Sequence, residues 1–425
     1  MAMTMVVTAP ARAAAVRKVT SPGGIEAWLV EDHTNPLIAM QFAFVSGASQ
    51  DPSGKPGLTY VLSGLLDEGA GPYDSTAFHE RIEDLAIDLR FDADRDYLTG
   101  SLKTLTKNAD EAFELLRLAL VVPRFDAEAT QRVKAQVLAG LRRDANEPNA
   151  VARNAFAAAA FPHHPYGAPL KGTLETVAAL AREDFASQHA RTLGRDSLKV
   201  AVVGDIDAER LALLLDRVFT GLPAKAELAP VADVVMAGGE RRVIDLPVPQ
   251  SVIAFGLAGL RRKDADFVPA VVMNHILGGG SFTSRLWTEV REKRGLAYSV
   301  YSSLAPSRHS ALLFGATSTK NERANESIQV ISSEIDAFAR NGVTADELDK
   351  ARRYLTGSYG LRFDTSTKIA RELLQAQLDD LGMDYFERRN AEIAAVTADD
   401  VARVSKRLLD TAKMLVVVVG RPTEG

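Results

Sequence analysis

An internal duplication limits what this chain can fold into more than any other feature. A helical stretch opening Asp184-Phe185-Ala186 runs into an apolar strand ending Val202-Val203-Gly204, and the same texture returns from Asp400-Val401-Ala402 to Val418-Val419-Gly420. Gly204 and Gly420 stand 216 residues apart. Phe125-Asp126-Ala127-Glu128 and Val343-Thr344-Ala345-Asp346-Glu347, 218 apart, each open a long helix on acidic residues, where negative charge meets the free amides of a first turn. Gly57 to Leu66 and Val268 to Leu277, 211 apart, each read as an apolar helix after an apolar strand. A unit that recurs once at this period makes two similar domains. Leu222 to Gly239 is rich in Ala and Pro and ends in Gly-Gly, the composition of a linker rather than of a packed element. The expected division is a tail over 1–16, a first unit over 17–221, a linker over 222–240 and a second unit over 241–425.

Within each unit, strands such as Ile38 to Val45 and Val252 to Leu257 are separated by longer helical stretches, among them Asp110 to Val121, Ala127 to Ala145 and Ala324 to Ala339. The long helices come in pairs, so strict strand-helix-strand alternation fails. The prediction is an α+β fold of two homologous domains, each a mostly antiparallel sheet packed on one face by helices. Gly278-Gly279-Gly280-Ser281 follows a helix rather than a strand, so it lacks the context of a phosphate-cradling loop.

Composition removes several functions. The net charge is -5 with no long Lys/Arg block, which leaves no electrostatic footprint for nucleic acid. The longest apolar runs, such as Met414 to Gly420, have strand length rather than the roughly 20 residues of a spanning helix. With no cysteine, any metal would need His and carboxylates. The histidines are His33, His79, His163, His164, His189, His275 and His309, and no two are three or four apart on a helix. His163 and His164 are adjacent in a Pro-flanked loop, where neighbouring side chains diverge, so loop packing or capping is the expectation there. Met1 to Ala15 carries Thr-Ala-Pro-Ala-Arg-Ala-Ala after a short apolar piece. It reads as the remnant of a trimmed secretory signal, with a periplasmic location expected and a cytoplasmic one as the alternative.

The duplicated unit, the glycine loop at 278–281, the run SRLWTEVREKRGLAY from Ser284 to Tyr298, His-Pro-Tyr-Gly at 164–167 and Val-Val-Gly-Asp at 202–205 occur together. This combination resembles the pitrilysin, insulinase and mitochondrial processing peptidase family of zinc peptidases over nearly the whole chain. Catalytic members carry H-x-x-E-H after a Gly-Leu, here Gly57-Leu58. The two zinc histidines then fall on Tyr60 and Gly64, the general-base glutamate on Ser63, and the third ligand, a glutamate on a later helix, close to Gly140. The resemblance therefore implies a degenerate site that holds no zinc and cannot hydrolyse peptides alone.

What the second unit keeps is the family's substrate-holding pair, an arginine and a tyrosine seven residues apart, Arg291 and Tyr298. Phe282, Leu286 and Val290 recur at helical spacing, which puts Arg291 in the last turns of a helix that Gly295 can close with a left-handed cap. A strand starting at Leu296 would place Tyr298 on one face with Leu296 and Val300, and the guanidinium and phenol near one point. In the family such a pair donates hydrogen bonds to the scissile carbonyl. By the same resemblance Gly278, Gly279, Gly280 and Ser281 form a loop facing peptide or partner. Arg285 and Lys293 read as solvated or interface charges. The implied function is the zinc-free subunit of a heteromeric peptidase, with zinc on a homologous H-x-x-E-H partner and a peptide or unfolded segment as substrate. The alternatives are a non-proteolytic scaffold subunit and a peptide-binding chaperone.

Overall fold

The structure is a computed structural model and describes residues 16–423; the tail reading over 1–15 lies outside them. The first half forms strands β1 (Arg17–Thr20), β2 (Glu26–Glu31), β3 (Leu37–Phe44), β4 (Asp88–Ala93), β5 (Leu98–Leu105) and β6 (Lys199–Gly204), in the sheet order β1-β2-β6-β3-β5-β4. The second half forms β7 (Arg241–Ile244), β8 (Gln250–Ala258), β9 (Ala297–Pro306), β10 (Ala311–Lys320) and β11 (Leu415–Val419), in the order β7-β11-β8-β10-β9. Without β1 the two orders are the same. In each sheet only one pair is parallel, β2 with β6 and β7 with β11. The correspondence extends to single residues. Phe42 pairs across strands with Gly100, and Phe255 with Gly315, and in both cases a side chain on the glycine would collide with the ring.

Helices α1 (Leu58–Ser63), α2 (Ser75–Asp84), α3 (Ala109–Val121), α4 (Ala127–Asp144), α5 (Pro148–Ala160), α6 (Leu174–Ala179), α7 (Arg182–Thr192) and α8 (Ala208–Phe219) belong to the first half. Those of the second are α9 (Phe267–Asn274), α10 (Ala324–Asn341), α11 (Ala345–Gly357), α12 (Ser366–Leu378), α13 (Tyr385–Ala395) and α14 (Ala398–Leu408). The predicted α+β architecture holds. Phe42, Phe113, Phe185 and Phe219 centre the helix-covered face of the first sheet, and Phe255, Ile335, Phe338 and Val404 that of the second.

The opposite face of each sheet is covered by a helix from the other half. Helix α5 lays Ala152, Phe156 and Ala159 on Val252, Ala254, Leu415 and Val417 of the second sheet, with Phe156 edge-on to Phe314 at 5.1 Å. Helix α12, its counterpart in the repeat, lays Ala370, Leu373 and Leu374 on Val30, Ala43, Ala201 and Val203 of the first. The exchange buries apolar rows that neither half covers with its own helices, and so joins the halves through their cores.

Residues 222–240 form neither helix nor strand, yet they differ from the loose linker their composition predicts. Leu222, Ala226 and Met236 are buried, Ala229 donates to Gln50 at 2.8 Å, Val234 to His309 at 2.8 Å and Ala237 to Ala160 at 2.8 Å. Loops of both halves supply the partners this backbone would otherwise find in water. Beside it, the buried Tyr166 hydroxyl donates to Asp96 of the β4–β5 turn and accepts the His309 amide at 3.1 Å, while Asp96 also accepts the Arg308 amide at 3.0 Å. The His-Pro-Tyr-Gly segment thus fastens the turn of one half to the turn of the other.

Candidate functional site

At the positions where catalytic relatives hold zinc, this chain packs instead. Helix α1 ends at Ser63, whose hydroxyl donates to the Tyr60 carbonyl at 2.8 Å, and Gly64 closes it. A Cβ on Gly64 would lie in ordinary contact with Val133 of α4, at 3.4 Å, so what the position lacks is the ligand atom itself. Gly140, farther along α4, offers no donor. Among the described residues no group of three His, Asp or Glu stands together in a metal-binding arrangement. Zinc does not fit these side chains.

The Arg291 and Tyr298 neighbourhood begins with a π-helical turn, Trp287–Glu292. Lys293 donates back to Thr288, Gly295 to Arg291 and Leu296 to Val290, and Gly295 takes φ +58°. This is the expected left-handed closure, widened by one residue. Leu286 and Val290 face the core as predicted. Phe282 does not: it stands in a short turn, 69% exposed, with its ring edge-on to Trp287 at 4.7 Å.

Strand β9 forms the edge of the second sheet, and its register against β10 slips. Val300 pairs with Thr317 but Ala297 with Thr319, so three steps on β9 match two on β10. This bulge corrects the simple alternation. Leu296 and Val300 are buried as a pair, while Tyr298 is turned outward and is 82% exposed. A bulge adds one residue and re-aims a side chain, and here it aims the phenol at the helix end. The Arg291 guanidinium lies 4.7 Å from the Tyr298 ring centroid and 4.2 Å from that of Trp287. Its position is set by these two ring faces. The carboxylate two residues back, Glu289, is taken by Lys293 and Arg294. Arg291 itself is half-buried and joins no ion pair among the described residues, so no carboxylate engages its donors. The predicted convergence is present, by a route that strand alternation did not contain. Trp287 was missed, although its spacing of four from Arg291 on a helix carried the signal.

The glycine loop divides. Gly278 is buried, and a side chain there would collide with Ser302 of β9. Asn274 and Ser302 are joined beside it by two hydrogen bonds, 3.2 and 2.7 Å. Packing therefore accounts for Gly278, contrary to a loop wholly facing a ligand. Gly279 and Ser281 are exposed and Gly280 half-buried, with Ser281 at φ +47°. Arg285 also corrects its reading as a solvated charge. It grips Glu347 at 2.7 Å, donates to the Gly342 carbonyl and covers the Phe338 ring, which pulls the Glu347 carboxyl down to about 2. Lys293 remains exposed. His164 accepts from the Tyr166 amide and faces the Ala232 carbonyl, whereas His163 points to solvent, so the two diverge.

Two profiles of one family match this chain, "Insulinase (Peptidase family M16)" over residues 27–174 and "Peptidase M16 inactive domain" over 179–355. The chain belongs to peptidase family M16. It is 29% identical to "Non-peptidase homolog YmxG" of Helicobacter pylori over 79% of this chain and 78% of that one. It is 26% identical to an "Uncharacterized zinc protease" of Streptomyces coelicolor over 95% and 89%. The crystal structure of a peptidase M16 inactive domain from Pseudomonas fluorescens superposes with a TM-score of 0.91 at 26% identity, covering 96% of this chain and 99% of that one. With Tyr60, Ser63, Gly64 and Gly140 in the ligand and base positions, this M16 chain is of the non-catalytic kind.

Proposed function

We propose that this chain is the zinc-free subunit of a heteromeric M16 peptidase, holding peptide for a homologous partner that carries H-x-x-E-H and its zinc. The observation that carries this reading is the β9 bulge. It sets Tyr298 outward against an Arg291 with no carboxylate partner, at an open sheet edge. A purely structural tyrosine would be turned inward with Leu296 and Val300. Arg291 and the Tyr298 hydroxyl are both donors at neutral pH, suited to an oxygen on which negative charge grows during peptide hydrolysis. The exposed Gly279 and Ser281 and the half-buried Gly280 lead into Phe282, which packs on the Trp287 ring that carries Arg291, and they are assigned to peptide contact, whereas the buried Gly278 packs on Ser302.

The test is hydrolysis of a quenched fluorescent peptide by this chain, by an H-x-x-E-H homologue, and by their stoichiometric mixture with zinc. Activity is expected in the mixture alone, falling about 100-fold with Arg291→Ala or Tyr298→Phe, the cost of removing one such donor. Activity by this chain alone would overturn the reading of Tyr60, Ser63, Gly64 and Gly140. Full activity of a mixture carrying both substitutions would overturn the role of the pair. The likeness to a Helicobacter pylori protein described as a non-peptidase homologue favours a second reading as a scaffold subunit. That reading predicts stable assembly with a partner and no peptide turnover in any mixture.

A further inference from the structure

The two halves border a half-open cavity of about 770 Å³, a size typical of small-molecule sites. Its walls come from both halves: Gln41 on β3 and the β4–β5 turn on one side, and the β9–β10 turn and α12 on the other. The cavity lies away from Tyr298. Arg308 follows β9 at its opposite end, roughly 26 Å along an extended strand.

Charge on these walls is unevenly matched. Arg262 pairs with Asp379 at 3.6 Å and Lys263 pairs with Asp380, while Asp94 and Asp96 are occupied by backbone amides and the Tyr166 hydroxyl. That leaves the guanidiniums of Arg95, Arg308 and Arg371 without any carboxylate partner among the described residues, all three on the cavity wall. Among the described residues Arg95 donates only to the Ala168 carbonyl, at 3.1 Å. Six basic side chains against four carboxylates line this space, so in a chain of net charge -5 its walls carry an excess of positive charge. A second observation is independent of charge. Gln41 is 8% exposed, on a sheet face otherwise lined by Val30, Ala43, Ala201 and Val203, and its amide has no protein partner among the described residues. An amide on an otherwise apolar face satisfies its hydrogen bonds from whatever fills the space before it. This one opens onto the cavity.

We propose that the cavity binds a small, multiply charged oxyanion, a phosphate- or carboxylate-bearing molecule. Arg95, Arg308 and Arg371 counter its charge through their planar donor forks, and Gln41 donates from the floor. Because both halves contribute, a bound ligand holds them in one arrangement and stabilises the whole chain by mass action.

The probes are inorganic pyrophosphate and citrate, titrated into the full-length protein by calorimetry and thermal unfolding, with sodium chloride matched for ionic strength. Saturable heat and a rising Tm are expected with at least one probe. Binding weakens about tenfold in Arg371→Gln and is lost in the Arg308→Gln, Arg371→Gln double variant. Both side chains are exposed, so their removal spares the fold. Gln41→Leu weakens binding without lowering the Tm of the free protein. Saturation by pyrophosphate alone assigns a phosphoryl ligand, and by citrate alone a polycarboxylate. Heats no larger than those of sodium chloride, or unchanged binding in the double variant, overturn the proposal.

Discussion

Replacing Tyr166 by Phe removes one oxygen from the junction between the halves and leaves the ring, so no cavity opens. The hydroxyl is buried, the residue being 1% exposed, and it serves two partners at once. Burial first, and then Asp96, push its pKa upward, so it remains a proton donor at all working pH values. Without it Asp96 loses a charge-assisted hydrogen bond, worth about 1.5–3 kcal/mol, and the His309 amide loses its acceptor, a further ~1–3 kcal/mol. The two losses share a site and do not simply add; about 3 kcal/mol is the expected total. The chain has two tryptophans, Trp28 in the first half and Trp287 in the second, so urea unfolding followed in Trp28→Phe and Trp287→Phe backgrounds reads each half separately. In the parent chain both probes should report one transition. With Tyr166→Phe the midpoint falls and the two probes separate, because the lost bonds joined the halves. A shift below about 0.5 kcal/mol, the range of ordinary surface changes, with coincident probes would refute the assignment of this segment as a fastener.

Phe156→Ala strips the main side chain by which α5 grips the second sheet and should cost about 3–5 kcal/mol in the same unfolding assay. Gly256→Ala places a Cβ 2.6 Å from Phe156, an overpacking cost of about 1–3 kcal/mol that Phe156→Leu should partly relieve. Burial pushes the Asp67 carboxyl up to about 6, above the about 3.9 of an unfolded chain. Its contribution is therefore present below about pH 4 and lost as pH rises through 6, and Asp67→Asn should flatten that decline in stability-pH curves. Glu347 runs the other way: held at about 2 by Arg285, it stabilises above about pH 4.3 and the gain disappears as pH falls toward 2. Arg285→Gln should remove the larger part of that acid dependence, leaving what the Thr344 amide and hydroxyl contribute.

Much of the site was legible because its signals are local. The spacing of Leu286, Val290, Arg291 and Gly295 encodes a helix and its closure in consecutive residues, and the structure forms both. The face of Tyr298 was not legible, since a bulge is a disagreement in register between β9 and a strand that follows it, and alternation within β9 holds no trace of it. Arg285 was misjudged for a related reason. Its partner Glu347 is 62 residues away, and no pattern around either residue announces the pairing.

The sequence by itself determined that the chain is a duplicated α+β protein, that the zinc ligand and base positions hold Tyr60, Gly64, Gly140 and Ser63, and that an arginine and a tyrosine stand seven residues apart. These are statements of residue type and periodicity. Only the tertiary structure decided that α5 and α12 change sides, that residues 222–240 are strapped down, that Tyr166 fastens the halves and that Tyr298 faces outward. Each depends on which apolar row is left uncovered or which buried polar group lacks a partner once the two sheets meet. That is a property of surfaces brought together from opposite ends of the chain.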